Sequence, residues 1–308
     1  MKKLLRKLLF GDIPVSEYKT VTVDDSIQET VYLEIEKRRS DVSSDHWLLC
    51  LEPVVFGVWL TNNSDIELLK RSASCKLNFT DHAKKTVAVT DLALTGSIEE
   101  PTGILFLLTL KNCKISHINP FKTRLLYQRF YKKPQQPFIK LKAYAAAYSY
   151  PRKVRVVSFQ DDNHFNIFPM DLVGDISKNG RFVFGLRHTN VTLSHIIETK
   201  KILISEVPFS YRDAIYDLGK HHSGSPLSIT SLPFGFITSK TFGFPVPEWA
   251  NSYKEIQILK TVDLGSHMLL WGEIVHEENI STSTGHLFHI HFLHYLHQKN
   301  NHSEYPRV

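Results

Sequence analysis

Cysteine is scarce: Cys50, Cys75 and Cys113 are the only three in 308 residues, far apart and with no CxxC pair. An odd, scattered set argues against a disulfide scaffold or a zinc ribbon and fits a reducing compartment, so a cytoplasmic location is expected. Glycine and proline number only 14 each, which excludes collagen-like and low-complexity chains. No stretch reaches the roughly 18 uncharged apolar residues of a membrane span. Strong charge of one sign is lacking as well: 37 Lys and Arg against 31 Asp and Glu leave a net +6. So mild an excess allows an anionic small ligand or cofactor without demanding nucleic acid. Familiar nucleotide and hydrolase motifs are missing. No GxGxxG follows a strand, and GxSxG does not occur. Gly219 to Gly224 has Walker-like glycine spacing, but Ser225 and Pro226 stand where the phosphate-binding Lys and the Ser/Thr belong.

What is present is enough apolar material, 42% of residues, for a packed core and about two domains. The opening residues 1–10 (MKKLLRKLLF) read as a short amphipathic or disordered lead. Arg6 and Lys7 interrupt the leucines and no small-residue cleavage site follows, unlike a signal peptide. Runs rich in Val, Ile, Leu and Phe, bounded by Asn, Asp, Gly, Ser or Pro, predict strands at 30–35, 47–60, 86–94, 103–110, 153–159, 181–186, 201–207 and 267–275. Helical periodicity is confined to 193–200, 211–218 and 122–131. The fold class expected is therefore mainly β with peripheral helices. The prolines of KKPQQP mark a boundary at 132–150, read as an extended connector, between a β-rich domain over 1–140 and a second domain over 144–308. No internal repeat aligns residue by residue; a degenerate duplication of one β-barrel stays open.

Histidine is abundant, 16 in all, with His286, His289, His291, His294 and His297 close together near the C-terminus. Imidazole is a common metal ligand, but no carboxylate or cysteine stands among these five. The reading adopted has Leu287, Phe288, Ile290, Phe292, Leu293 and Leu296 packing while the imidazoles face solvent or a subunit interface, with no metal site.

From Tyr150 the chain reads YPRKVRVVSFQDDNHFNIFPMDLVGDIS, then FVFGLRHTNVTLSHIIETKKILISEVP, and later GSHMLLWGEIV. This succession resembles the flavin reductase-like, FMN-binding split-barrel family from about Tyr144 onward. The resemblance implies a C-terminal FMN-binding split barrel. An apolar wall and ribityl contact would come from Asn166, Phe168, Pro169, Met170, Asp171 and Leu172. A phosphate cluster would come from Arg187, His188, Thr189, Asn190 and Thr192, since a phosphate needs convergent donors. Lys220, His221 and His222 would approach the flavin from the same or a partner subunit. His267 and Glu273 share one strand face, with Glu273 structural or interfacial. No family is recognised in the first 140 residues.

The resemblance implies an oxidoreductase that passes hydride from NAD(P)H through bound FMN to a second small acceptor. No side-chain nucleophile is needed, because the cofactor carries the chemistry. The alternative is a non-catalytic split barrel that holds flavin or haem. A homodimer with flavin near the subunit boundary is expected, its interface formed in part by the apolar stretch 285–296.

Overall fold

Alternate burial runs through the strands: in TVYLEI (30–35), Val31, Leu33 and Ile35 are buried while their neighbours are half-exposed, as in a sheet packed on one face. A computed structural model describes residues 2–10, 18–23, 27–130, 137–176, 179–219, 228–281 and 285–301. The fold is mainly β with peripheral helices, as the strand-like runs predict.

The first half opens with α1 (Lys2–Phe10) and β1 (Tyr18–Val23). Strands β2 (Thr30–Ile35), β3 (Arg38–Asp41), β4 (His46–Leu51), β5 (Val54–Leu60), β6 (Ser74–Thr80), β7 (Thr86–Glu100) and β8 (Gly103–Ile115) form one antiparallel sheet. Its order is β3-β2-β6-β7-β8-β5-β4, and α2 (Asn63–Ser72) connects β5 to β6. Then come α3 (Pro120–Leu125), a π turn over Leu126–Phe130 and α4 (Phe138–Ala147).

In the second half β9 (Arg152–Lys153) precedes β10 (Arg155–Gln160), β11 (Phe165–Met170), β12 (Val173–Ile176), β13 (Arg181–Arg187), α5 (Leu193–Thr199), β14 (Lys201–Glu206) and α6 (Arg212–Gly219). A small hairpin of β15 (Phe236–Thr238) and β16 (Pro245–Pro247) is followed by β17 (Ser252–Asp263), β18 (His267–Asn279), β19 (His286–His291) and α7 (Phe292–Asn301). The second large sheet has the order β11-β10-β14-β17-β18-β13-β12.

These two sheets share one topology. With β10–β14 in place of β2–β6, and β17 and β18 in place of β7 and β8, the two orders coincide. A helix fills the same step in each, α2 before β6 and α5 before β14. The duplication left open by the sequence is thus present as architecture. Strand pairing depends on the pattern of burial and on connection lengths, both of which survive when residue identity is lost.

The two sheets bury side chains against each other. Leu49, Trp59 and Leu105 of the first meet Val183, Leu269 and Trp271 of the second, with the Trp59 and Trp271 rings stacked at 6.0 Å between centroids. Arg181 ties the seam by pairing with Glu100 of the first sheet and Glu273 of its own, each at 3.1 Å. Glu273 is therefore a structural partner. A third, three-stranded sheet also joins the two halves, because β19 pairs with β1 on one side and β9 on the other.

Several sequence expectations are corrected. The run 47–60 is a hairpin of two strands, since Glu52 and Pro53 turn the chain between β4 and β5. The expected connector contains α4: Pro137 stands just before the helix, where its missing N–H costs nothing, and alanines carry the helix onward. Helix α2 adds to the three helices expected from periodicity, and Asn62 caps it by accepting from the Ser64 and Asp65 amides at 2.9 and 3.4 Å. The C-terminal histidines do not form an exposed rim, because the tail folds back onto its own chain. His291, His294 and His297 are buried; His297 meets Asp81 at 2.8 Å and His294 meets Glu29 at 3.2 Å. Leu287, Phe288 and Ile290 are buried in the same way. Among the described residues no group of His, Cys, Asp and Glu has the arrangement of a metal site.

Candidate functional site: a cleft between the two halves

Where the edge strands of the two sheets approach, a cleft of about 440 Å³ opens. Its size falls within the range of small-molecule and cofactor sites. One wall is the end of β11 and the turn to β12, which present Phe168, Pro169, Met170, Asp171 and Leu172. A second is the end of β13, with Gly185, Leu186 and Arg187, followed by Asn190. The facing wall belongs to the first half of the chain: Tyr18, Leu51, Glu52, Tyr144 and Tyr148. His267, His289 and Gly219 complete it.

Seven residues expected from the sequence thus meet in one place: Phe168, Pro169, Met170, Asp171, Leu172, Arg187 and Asn190. Asn166 and Thr192 do not line the cleft. Both are fully buried behind it, with the Asn166 amide donating to Thr192 Oγ1 at 2.8 Å and His164 meeting the same hydroxyl at 2.9 Å. Their place is to brace the turn that carries Asn190. His188 is exposed and pairs with Asp263 at 3.2 Å, and Thr189 is exposed beside it; neither lines the cleft. Lys220, His221 and His222 lie outside the described residues.

Asn190 is the most informative side chain. Its Oδ1 accepts from the Thr192 amide at 2.9 Å, whereas its Nδ2 is buried without a hydrogen-bond partner in the protein. A buried donor left unpaired costs about 1–3 kcal/mol, so its presence on a cleft wall fits a site made for an acceptor-bearing ligand. Arg187, close by and exposed, adds a permanent positive charge. His267 contributes none at neutral pH: burial, reinforced by Arg187, lowers its pKa to about 4.

Also on the cleft wall, Asp171 meets His289 Nδ1 at 2.8 Å, and His289 Nε2 in turn meets the Tyr216 hydroxyl, which contacts Thr20. Burial pushes the Asp171 carboxyl up, but His289 and the Tyr148 hydroxyl outweigh it and hold the carboxyl below its usual value. The cleft therefore carries the ionised Asp171 carboxylate as well as the Arg187 charge. Glu52 is kept ionised chiefly by Lys140 at 2.5 Å, with a further hydrogen bond from Tyr144 at 2.9 Å.

About half of this chain is similar to solved flavin-binding proteins. An FMN-binding protein from Thermus thermophilus with bound 1-cyclohex-2-enone shares 22% identity over 42% of this chain and 72% of that one, with a TM-score of 0.38. The NADH:FAD oxidoreductase SgcE6 of Streptomyces globisporus C-1027 shares 16% over 50% and 90%, with a TM-score of 0.45. The flavin reductase PheA2 shares 16% over 47% and 89%, with a TM-score of 0.39. No family model and no curated protein matches the sequence.

Tyr18, Leu51, Glu52, Tyr144, Tyr148 and His289 are wall residues that sequence reasoning missed. Each is remote from the FPMDL and LRHTN segments, so spacing held no signal for them. The sequence places His267 on a strand face, and only the fold brings it to the cleft.

Proposed function

We propose that the cleft binds FMN and that the protein is an oxidoreductase passing hydride from NAD(P)H to a second small acceptor. The observation that carries this reading is the unpartnered Asn190 Nδ2 beside Arg187, at the end of an apolar strip running from Phe168 to Leu172. The donors suit a phosphate and its ribityl chain; the strip suits a flat ring. Bound there, flavin supplies two-electron exchange with a nicotinamide, chemistry for which no protein nucleophile is required. The chain's own residues bind and orient. Arg187 and Asn190 hold the anionic end, while Phe168, Met170 and Leu172 keep water from the ring. The Asp171 carboxylate fixes the proton of His289 on Nδ1.

The homodimer expected from the sequence gives way to a narrower proposal. Tyr18, Leu51 and Glu52, together with Tyr144 and Tyr148 at the end of the joining helix α4, supply the wall that a partner subunit would supply, so the first half of the chain acts as a built-in partner to the second. The duplicated half does not provide a second site of this kind. Five residues separate the end of β13 at Arg187 from the start of α5 at Leu193, and this connection holds Asn190. Between β5 and α2 only Thr61 and Asn62 intervene, with no cationic residue.

Absorbance of the purified protein is the test. A flavin spectrum that bleaches on anaerobic addition of NADH or NADPH and returns in air is expected. A protein that neither retains nor takes up FMN would overturn the reading, and one that binds FMN without oxidising NAD(P)H would reduce it to flavin binding alone.

A further inference from the structure

Acidic residues are absent from two long stretches of this sequence. Residues 1–11 contain four Lys and Arg and residues 101–160 contain twelve, with no Asp or Glu in either. Since the whole chain has 37 basic and 31 acidic residues, the remainder holds 21 basic against 31 acidic and is net negative. The modest overall charge thus conceals a strong segregation.

The fold gathers much of this basic material into one helical cap. Helix α1, the π turn after α3, α4 and α7 converge on a common apolar cluster that includes Phe10, Leu126, Tyr127, Leu141, Phe292 and Leu296. Outside that cluster Lys122, Arg124 and Arg129 are exposed on α3 and the π turn, and Lys111 and Lys114 are exposed on β8, whose last residue Ile115 packs against the cap. The cap also exposes large apolar side chains: Leu4 by 76%, Leu8 by 83%, Phe121 by 74% and Ile139 by 65%.

Helix α1 is oriented the wrong way round for a helix facing water. It docks through Leu9 and Phe10, the latter against the Phe130 ring at 5.7 Å. Leu4 and Leu8, one turn apart and therefore on one face, are left outside. A surface helix ordinarily turns its charged face outward. Here the outward face carries leucines, with the exposed Lys7 alongside.

We propose that this cap docks on an anionic lipid surface. Leu4 and Leu8 enter the boundary between headgroups and acyl chains, and the surrounding Lys and Arg side chains meet lipid phosphates. Exposed aliphatic side chains on a cap that also exposes Lys7, Lys122, Arg124 and Arg129 match such an interface better than a nucleic acid, which offers no apolar layer for leucine. No described helix is long and apolar enough to cross the bilayer, so the attachment is peripheral. The proposal is independent of what the cleft binds.

Co-sedimentation of the full-length protein with phosphatidylcholine vesicles, with and without phosphatidylserine, tests it. Binding is expected only to the anionic vesicles and is expected to weaken as salt is raised. The L4S/L8S variant should bind at least about tenfold more weakly, and K122S/R124S should lose roughly fivefold for each cation removed. All four side chains are exposed, so thermal unfolding and ligand content should stay as in the parent protein. Equal binding to both vesicle types would overturn the proposal, as would unchanged binding by L4S/L8S. Tighter binding to duplex DNA that survives the leucine substitutions would assign the basic cap to nucleic acid instead.

Discussion

Two arginines separate ligand binding from folding. Arg187 is exposed on the cleft wall, so Arg187→Ala is expected to weaken FMN binding by about 1.5–3 kcal/mol, the worth of a hydrogen bond to a charged group, and to leave the unfolding temperature unchanged. Titration of apoprotein with FMN checks this; undiminished affinity would misplace the phosphate. Arg155 is buried beside Glu206 at 3.2 Å. Its replacement by Ala should cost a similar amount in stability, read by denaturant titration. Buried ionisable groups also set the pH response, in two windows. Burial lowers the pKa of His291 to about 3 and that of His267 to about 4, both from 6.5. Below pH 6.5 the unfolded chain therefore binds more protons at these sites, and stability should decline as pH falls. Burial raises the Glu206 carboxyl, yet Arg155 and Lys153 outweigh it and hold it at about 2 against 4.5. Its contribution, up to about 3 kcal/mol, is present above pH 4.5 and lost as pH falls toward 2. Denaturant midpoints measured from pH 7 to pH 3 should fall throughout; a flat profile down to pH 4.5 would mean that the histidines are accessible to protons in the folded state.

At the scale of elements, close approach of strands decides the geometry. Gly185 on β13 stands where a Cβ would lie 1.7 Å from the carbonyl oxygen of Leu49 on β4. Both atoms belong to strands held by neighbours, so neither yields cheaply. Gly185→Ala is expected to cost about 3 kcal/mol or more and to reduce flavin retention, because it pries apart the two walls of the cleft. Stability and cofactor content near those of the parent protein would show that these strands do not meet in this way. Many strands were legible as apolar runs, 30–35 and 201–207 to within a residue. Strand β19 was not, because its partners β1 and β9 lie more than a hundred residues earlier in the chain. Helix α4 was hidden by the prolines before it, which mark the start of a helix as readily as a break.

For the molecule as a whole, the two large sheets repeat one strand order, and the proposed function has the first half close the cleft in place of a second copy. The expected outcome is a monomer at micromolar concentration that retains one flavin per chain, measured by sedimentation together with absorbance. A dimer whose dissociation releases the flavin would show that the cleft needs a second copy. The sequence by itself determined the β-rich class, the absence of the tested motifs, and the FPMDL and LRHTN segments that form one side of the cleft. Those properties are local: periodicity, turn residues and short spacings lie within a few positions of one another. Only the tertiary structure decided that the first half repeats the topology of the second, that Glu52, Tyr144 and Tyr148 face Arg187, and that Asn166 and Thr192 stand behind the wall. Such pairings depend on which apolar faces bury each other across more than a hundred residues, and side chains on the two sides of a contact leave no common periodicity in the chain.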